Sequence, residues 1–222
     1  MKTLHYLMIG LAIGGGFGEF AVARAATVVG RIIRSAVVES GDRPVERYRG
    51  RVSGGDPAAI ADCRCDPGHY AVVYLTGDSL PPVRPVAGGR MTQKDMMFQP
   101  SVMAVTVGST VEFPNLDPFY HNVFSYSTTR KFDLGRYAQG KSKSVTFDKP
   151  GLVKIFCEIH YSMRAYLHVL TTPYFAVSSE SGEFRITGVT PGDYRLHVWQ
   201  ENQPERELTL SVTTDTVTVE ID

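Results

Sequence analysis

Four side chains near the middle of the chain have the types and the spacing of a redox metal site. Cys157, His160 and Met163 follow one another at intervals of three residues, and His121 lies 36 residues before the cysteine. Two imidazoles, one thiolate and one thioether suit copper in both oxidation states, because sulfur favours Cu(I) and imidazole tolerates Cu(II). We therefore expect these four residues to bind one copper ion that carries single electrons.

The segments on either side of the cysteine motif have the composition of β-strands. Residues 153–156 form an apolar run that leads into Cys157, and residues 166–170 form a second run after Met163. A tight loop between two antiparallel strands would place three of the four side chains on one small arc. Each residue taken alone also has an ordinary explanation, since a single cysteine often acts as a small buried apolar residue.

The fourth side chain comes from a separate loop. Residues 110–113 are predicted to form a strand, and the following residues 115–121 contain the Asn, Asp and Pro expected of a loop that ends at His121. Long-range strand pairing must therefore bring His121 to Cys157. Folding creates the site, and a bound metal ion would in turn stabilise the fold.

Three segments around these side chains, residues 105–113, 121–123 and 157–163, resemble the small blue copper proteins, the cupredoxins. The short interval between the second histidine and the methionine is similar to that of amicyanin. Beyond residue 25 most of the chain resembles periplasmic amicyanin- or plastocyanin-like proteins that are often labelled methylamine utilisation proteins.

This resemblance implies an eight-stranded Greek-key sandwich with one mononuclear copper. It implies that His121, Cys157 and His160 are the equatorial ligands and that Met163 is the axial ligand. It also implies that Asn122 braces the two ligand loops. Amicyanin has proline at the positions of Ile159 and Tyr161, so the rigidity and the reduction potential of this loop are less fixed by the resemblance than its ligands are.

The composition and the N-terminus indicate an exported protein. Residues 1–25 have a basic start, an apolar and glycine-rich stretch, and the small-x-small end Ala23-Arg24-Ala25, which is typical of a cleaved secretory signal peptide. An uncleaved amphipathic anchor is the alternative. The formal net charge is zero, so nothing indicates nucleic acid as a partner. We expect a periplasmic protein without membrane insertion once the signal peptide is removed.

The two remaining cysteines are separated by a single residue. Cys63 and Cys65 lie close to His69 in a segment rich in Asp, Gly and Pro. A disulfide over so short a span is strained. The three residues could bind a second metal or collect Cu(I), or the cysteines could form a simple free or oxidised pair in a loop.

The two ends of the chain predict a second small β-sandwich, and the overall fold class is all-β. Residues 181–196 resemble the second half of carboxypeptidase regulatory-like domains, and strands near residues 30–32 and 71–75 could supply the first half. We predict a discontinuous domain over residues 26–88 and 171–222, with the copper domain over 89–170 inserted into it. Separate consecutive domains are the simpler alternative.

Four functions are compatible with the sequence. The first is an electron carrier that docks weakly and transiently to redox proteins near His160, where Phe119, Tyr120 and Tyr161 could form an apolar patch. The second is copper storage or delivery with the same ligands. An enzyme such as a nitrite reductase would need another catalytic metal site, and no second histidine cluster is visible. A metal-free adhesion or scaffolding module is the fourth. We predict an electron carrier that is not an enzyme, and we interpret His168 and His197 as structural.

Overall fold

The computed structural model describes residues 25–33, 67–78, 80–213 and 215–222. These residues form seventeen β-strands and one short 3-10 helix, Pro67–His69, with no α-helix in the described ranges. Within the same ranges no helix has the length and hydropathy needed to span a bilayer. The predicted all-β fold class is confirmed. The predicted signal sequence up to residue 24, and the Cys63 and Cys65 pair, lie outside the described residues.

Ten strands lie in the central part of the chain. They are β3 (Gly89–Arg90), β4 (Thr92–Lys94), β5 (Met97–Gln99), β6 (Val102–Thr106), β7 (Ser109–Pro114), β8 (His121–Ser125), β9 (Phe132–Tyr137), β10 (Ser142–Phe147), β11 (Gly151–Phe156) and β12 (Arg164–Leu170). One sheet has the order β6-β12-β11-β8-β9 and the other has the order β10-β7-β3, while β4 and β5 pair as a hairpin. The two sheets therefore contain the eight strands of the expected sandwich, and the hairpin is an addition to it.

Alternation of apolar and polar residues explains why the two central sheets pack face to face. In β7 the side chains of Val111 and Phe113 are buried and Glu112 is exposed, and in β11 the side chain of Ile155 is buried while Lys154 is exposed. Successive side chains of a strand point to opposite faces of the sheet, so each strand contributes its apolar set to the interior. The resulting core extends to the end of the sandwich at which the candidate ligands lie.

The remaining strands form a second sandwich from both ends of the chain. They are β1 (Ala26–Ile32), β2 (Ala71–Thr76), β13 (Phe175–Val177), β14 (Glu183–Val189), β15 (Gly192–Gln200), β16 (Arg206–Val212) and β17 (Thr216–Ile221). Their sheets have the orders β14-β1-β17 and β13-β2-β15-β16. Strand β1 thus pairs with β14 and β17, and strand β2 pairs with β13 and β15. The predicted second sandwich depends on this pairing between strands from the two ends of the chain. The predicted domain boundaries stay predictions.

The two sandwiches contact each other through strand β12, which is buried on both faces. Its residues Ala165, Leu167 and Val169 belong to the core of the central sandwich. Leu170 packs instead with Val72 of β2 in a separate buried cluster. This cluster also includes Val102 and the partly buried side chains Tyr70, Tyr74, Ala104, Phe175, Val177 and Trp199. The β13-β2-β15-β16 sheet of the second sandwich therefore packs against the outer faces of β6 and β12, at one edge of the five-stranded sheet.

Candidate metal centre

Strands β11 and β12 position the cysteine motif. They pair in antiparallel register with Phe156 opposite Arg164, so the chain from Cys157 to Met163 must reverse direction within seven residues. Two backbone bonds tighten this loop: the Met163 amide donates to the His160 carbonyl at 2.9 Å, and the Cys157 amide donates to the Met163 carbonyl at 3.3 Å. The three candidate ligands of the motif thus lie on one short arc, in the arrangement that the sequence predicts.

The first residue of β8 brings the separate histidine to this arc. Phe124 of β8 pairs with Phe156 of β11, which places the start of β8 beside the loop. Nδ1 of His121 lies 3.8 Å from Sγ of Cys157 and 3.0 Å from Nδ1 of His160. The ligand-type atoms of these three residues all lie within 4.8 Å of one another. The structure therefore brings together three of the four predicted ligands across 36 residues of sequence.

Met163, the fourth predicted ligand, lies in the same buried environment. Its side chain is 1% exposed and belongs to the hydrophobic cluster that contains Cys157, which is itself 3% exposed. Ile159, at one of the positions where the resemblance expects proline, packs against this cluster, whereas Tyr161 is 92% exposed. Met163 and Cys157 are thus buried in one apolar cluster.

The short distance between the ring nitrogens of His121 and His160 fits a bound metal ion. Two imidazole nitrogens 3.0 Å apart, both Nδ1, need a proton or a cation between them. The ring of His121 is fully buried, and the thiol beside it is nearly so. Two nitrogens and one sulfur in a buried site form a donor set that suits copper. The residues present therefore fit the group that the sequence implies.

Asp117 orients the first histidine and was not identified from the sequence. Its Oδ2 lies 2.8 Å from Nε2 of His121, and its side chain is 6% exposed. Because Nε2–H donates to this carboxylate, the lone pair of His121 is on Nδ1, the atom that faces Cys157 and His160. An acidic residue in a turn-rich loop four positions before the histidine is the only sequence signal, and such residues are common in loops.

The same carboxylate also holds the β4–β5 hairpin. Its two oxygens accept the backbone N–H groups of Asp95 at 2.7 Å and Met96 at 3.0 Å, and both of these residues have φ near 56°. Burial alone raises the pKa of Asp117, but the bonds from Met96, His121 and Asp95 outweigh it and lower the pKa of this carboxyl. Asp117 is therefore an anion that connects the hairpin tip to His121.

Hydrogen bonds preorganise the two loops of the site. Oδ1 of Asn122 accepts the backbone N–H of Glu158 at 2.7 Å, which is a direct link between the two loops. Nδ2 of the buried Asn115 donates to the carbonyls of Phe119 at 2.8 Å and Tyr137 at 3.0 Å. These bonds fix the chain on both sides of His121. The brace that the resemblance implies for Asn122 has this physical form.

His160 is the candidate ligand that lies nearest to solvent. Its ring is half-buried, and burial followed by the proximity of His121 lowers its pKa, while Asp117 opposes this shift. The Phe119 ring centroid lies 5.5 Å from that of His160. Phe119 is 39% exposed and Tyr120 is 60% exposed. An apolar and aromatic surface thus surrounds the edge of the site.

Two histidines that the sequence assigns to structural roles lie in the second sandwich or at its contact with the first. The ring of His168 lies 4.6 Å from that of Trp199, and the ring of His197 stacks on Tyr74 at 4.7 Å. Within the described part of the chain, the only group of three or more His, Cys, Asp or Glu side chains close enough to bind one metal is that of His121, Cys157 and His160.

Two family profiles match separate parts of the chain. Residues 87–170 match the family described as copper binding proteins, plastocyanin/azurin family. Residues 170–221 match the family described as polysaccharide lyase family 4, domain II, so the predicted carboxypeptidase regulatory-like assignment stays a prediction. No curated protein matches the chain significantly.

Several solved structures resemble part of the chain. The copper-containing nitrite reductase NirK from Thermus scotoductus SA-01 is 26% identical with a TM-score of 0.36, over 40% of this chain and 25% of the enzyme. The match thus spans about a quarter of the length of that enzyme. A purple cupredoxin from Nitrosopumilus maritimus is 20% identical over 37% of this chain and 99% of its own, with a TM-score of 0.34. A reduced amicyanin variant is 23% identical over 44% and 99%, with a TM-score of 0.35.

The profile match and the geometry concern the same residues. The matched range includes both ligand loops and all four predicted ligands. Its two sheets enclose the core that contains Cys157 and Met163. The residues that match the plastocyanin/azurin copper-binding family therefore contain the candidate site, and copper is the cofactor that its donor set fits.

Proposed function

We propose that this protein is an exported electron carrier in which His121, Cys157, His160 and Met163 bind one copper ion. The observation that carries the proposal is the convergence of two imidazole Nδ1 atoms and one thiol sulfur within 4.8 Å. Copper bound there would supply a one-electron couple between Cu(I) and Cu(II). The sequence-based prediction of a signal peptide supports export to the periplasm.

The protein residues contribute by keeping the site nearly the same in both oxidation states. The bond from Asp117 fixes the ring of His121, and the bond between Asn122 and Glu158 fixes the distance between the two loops. Burial of Cys157 keeps water away from the sulfur. A site that is held by the fold needs little rearrangement when its charge changes, because its dipoles are already oriented.

His160 is the proposed exit for the electron. Its half-buried ring is the part of the site closest to the surface formed by Phe119, Tyr120 and Tyr161, of which the last two are more than half exposed. A small apolar surface of this kind suits a redox partner that binds weakly and dissociates quickly. We propose that redox proteins dock on this surface.

A copper titration of the purified protein tests the proposal. We expect one equivalent of Cu(II) to produce a strong visible absorption band, a narrow-hyperfine electron paramagnetic resonance signal and a reversible one-electron wave. Cys157→Ser should abolish the band and the wave together. A colourless protein that binds Cu(I) and transfers it to a chelator would instead support storage or delivery.

Two methionine variants distinguish the loss of an axial ligand from a general effect on core packing. Met163→Leu should retain the visible band and raise the reduction potential, since a weak axial ligand tunes this potential. Met103→Leu is the matched control, because Met103 packs against the same core from strand β6. Equal shifts in the two variants would exclude Met163 as the ligand.

A further inference from the structure

A cavity of about 520 Å³ lies between the two sandwiches. Its walls come from the start of β11, the end of β12, strand β2, and the region of β15 and the loop after it. None of the four candidate copper ligands lines it. This volume is within the usual range for sites that bind small molecules.

Aromatic rings form part of the wall. Trp199 and Tyr74 both line the cavity, and the indole ring of Trp199 rests against the ring of His168 at 4.6 Å. The Tyr74 hydroxyl donates to Oε1 of Glu205 at 2.5 Å, which fixes this carboxylate at the cavity edge. Aromatic faces next to a carboxylate attract cations through the ring quadrupole and through charge.

The polar groups of the cavity include an atom that lacks a partner. His168 is 7% exposed, and among the described residues its Nε2 has no hydrogen-bond partner. Burial lowers the pKa of His168 to about 4, against a small opposing effect of Glu205, so the ring is neutral at pH 7. Unpaired buried polar atoms are uncommon in folded proteins, and each calls for an explanation.

The charge of the lining favours one class of ligand. Among the described residues that line the cavity, Glu205 is the only acidic one and none is Lys or Arg. Leu152 and Leu170 add apolar surface. A ligand that carries a positive charge and N–H donors on an apolar body would complement all of these features, whereas an anion would face the negative charge of Glu205.

We propose that this cavity binds a small organic cation, a protonated amine on an apolar body. The ammonium group donates hydrogen bonds to Nε2 of His168 and to the carboxylate of Glu205, and the apolar body packs on Trp199 and Leu152. The site is independent of the proposed electron transfer, because its residues do not overlap with the copper ligands.

The chain contains a single tryptophan, Trp199, so intrinsic tryptophan fluorescence comes from a residue that lines this cavity. The purified full chain, with and without copper, is titrated with 2-phenylethylammonium, with neutral 2-phenylethanol and with anionic 3-phenylpropionate. We expect a saturable fluorescence change with the ammonium ion and affinities at least tenfold weaker for the other two probes. Binding of the alcohol or the carboxylate with equal affinity overturns the proposal, as does the absence of saturation with all three.

Two substitutions test the roles of the polar groups. Glu205→Gln and His168→Phe should each weaken binding of the ammonium ion at least tenfold. Glu207→Gln is the matched control, because Glu207 is exposed, pairs with Arg195 at 3.2 Å and does not line the cavity. Equal losses in the two glutamate variants contradict the proposal. The comparison of Glu205→Gln with Glu207→Gln tests the proposed cation site even if His168→Phe fails to fold.

Discussion

Nε2 of His121 lies 2.8 Å from Oδ2 of Asp117, and both side chains are almost completely buried. This bond determines which ring nitrogen faces the sulfur of Cys157. It also places a negative charge behind a ligand of the proposed copper site. The same carboxylate binds two backbone amides of the β4–β5 hairpin, so the hairpin and the metal centre share one anchor.

Replacement of Asp117 by Asn should raise the reduction potential of the copper site. The carboxylate stabilises Cu(II) more than Cu(I), because the oxidised site carries one more positive charge. A tenfold preference of the carboxylate for the oxidised site would correspond to a shift of about 59 mV for a one-electron couple. Protein-film or solution voltammetry measures the shift.

Asp148→Asn is the control for this substitution, because Asp148 is exposed in the turn between β10 and β11. The reduction potential of the Asp148→Asn variant should stay close to that of the unmodified protein. An unchanged potential in Asp117→Asn, with the visible band intact, would contradict the assigned role of Asp117.

Loss of the Asn122 side chain should destabilise the copper-free protein. Asn122 is 1% exposed and accepts the amide of Glu158 at 2.7 Å. Removal of the acceptor leaves a partly buried N–H without its partner, which costs about 1–2 kcal/mol. Urea unfolding of Asn122→Ala measures this loss.

Gln139→Ala provides the comparison. The side chain of Gln139 also bonds a backbone group, the carbonyl of Leu116 at 3.1 Å, but at an exposed position. Its loss should change the stability by less than about 0.5 kcal/mol. Similar effects in the two variants would mean that the link between the ligand loops adds no special stability.

The stability of the protein should fall as the pH drops from 7 to 4, in part because of His168. Its pKa is lowered from 6.5 to about 4 by burial. The unfolded state therefore binds a proton in this window that the folded state does not, and stability rises with pH through it. The titration of His168 lowers the unfolding free energy by about 3 kcal/mol at pH 4. It has no effect at a pH well above the pKa of the unfolded state.

His168→Phe removes this contribution, so its unfolding free energy should change less between pH 7 and pH 4. The slopes of the unfolding free energy against pH are compared, because the substitution also changes the absolute stability through its packing against Trp199. Parallel stability curves for the two proteins would show that His168 does not titrate differently in the folded and unfolded states.

The two sandwiches should unfold together. Val72, Val102 and Leu170 form one buried cluster to which both sandwiches contribute, so loss of either sheet exposes the other. Trp199 fluorescence follows the second sandwich, and the amide resonances of Val123 and Ile155 follow the first. We expect the same urea midpoint by both measurements.

Leu170→Ala should lower the unfolding free energy by about 2–4 kcal/mol and move both midpoints together. Leu116→Ala, at a position that is 43% exposed in a loop, should have little effect. Two separate transitions in the unmodified protein would show that the shared cluster does not couple the sandwiches.

The sequence determined the features that depend on neighbouring residues. Cys157, His160 and Met163 fall within seven residues between two apolar runs, so local strand propensity and one tight turn suffice to gather them. The strand predictions over residues 153–156 and 166–170 correspond to β11 and β12. Such features follow from alternation and turn chemistry alone.

Only the tertiary structure decided which distant groups meet. The contact of Asp117 with His121 depends on the path of a loop, and the bond of Asn122 to Glu158 depends on the pairing of β8 with β11. Burial of β12 on both faces depends on a second sheet from the ends of the chain. Alternation along a strand shows which face is apolar and not what covers it, since many partners offer equivalent apolar surface.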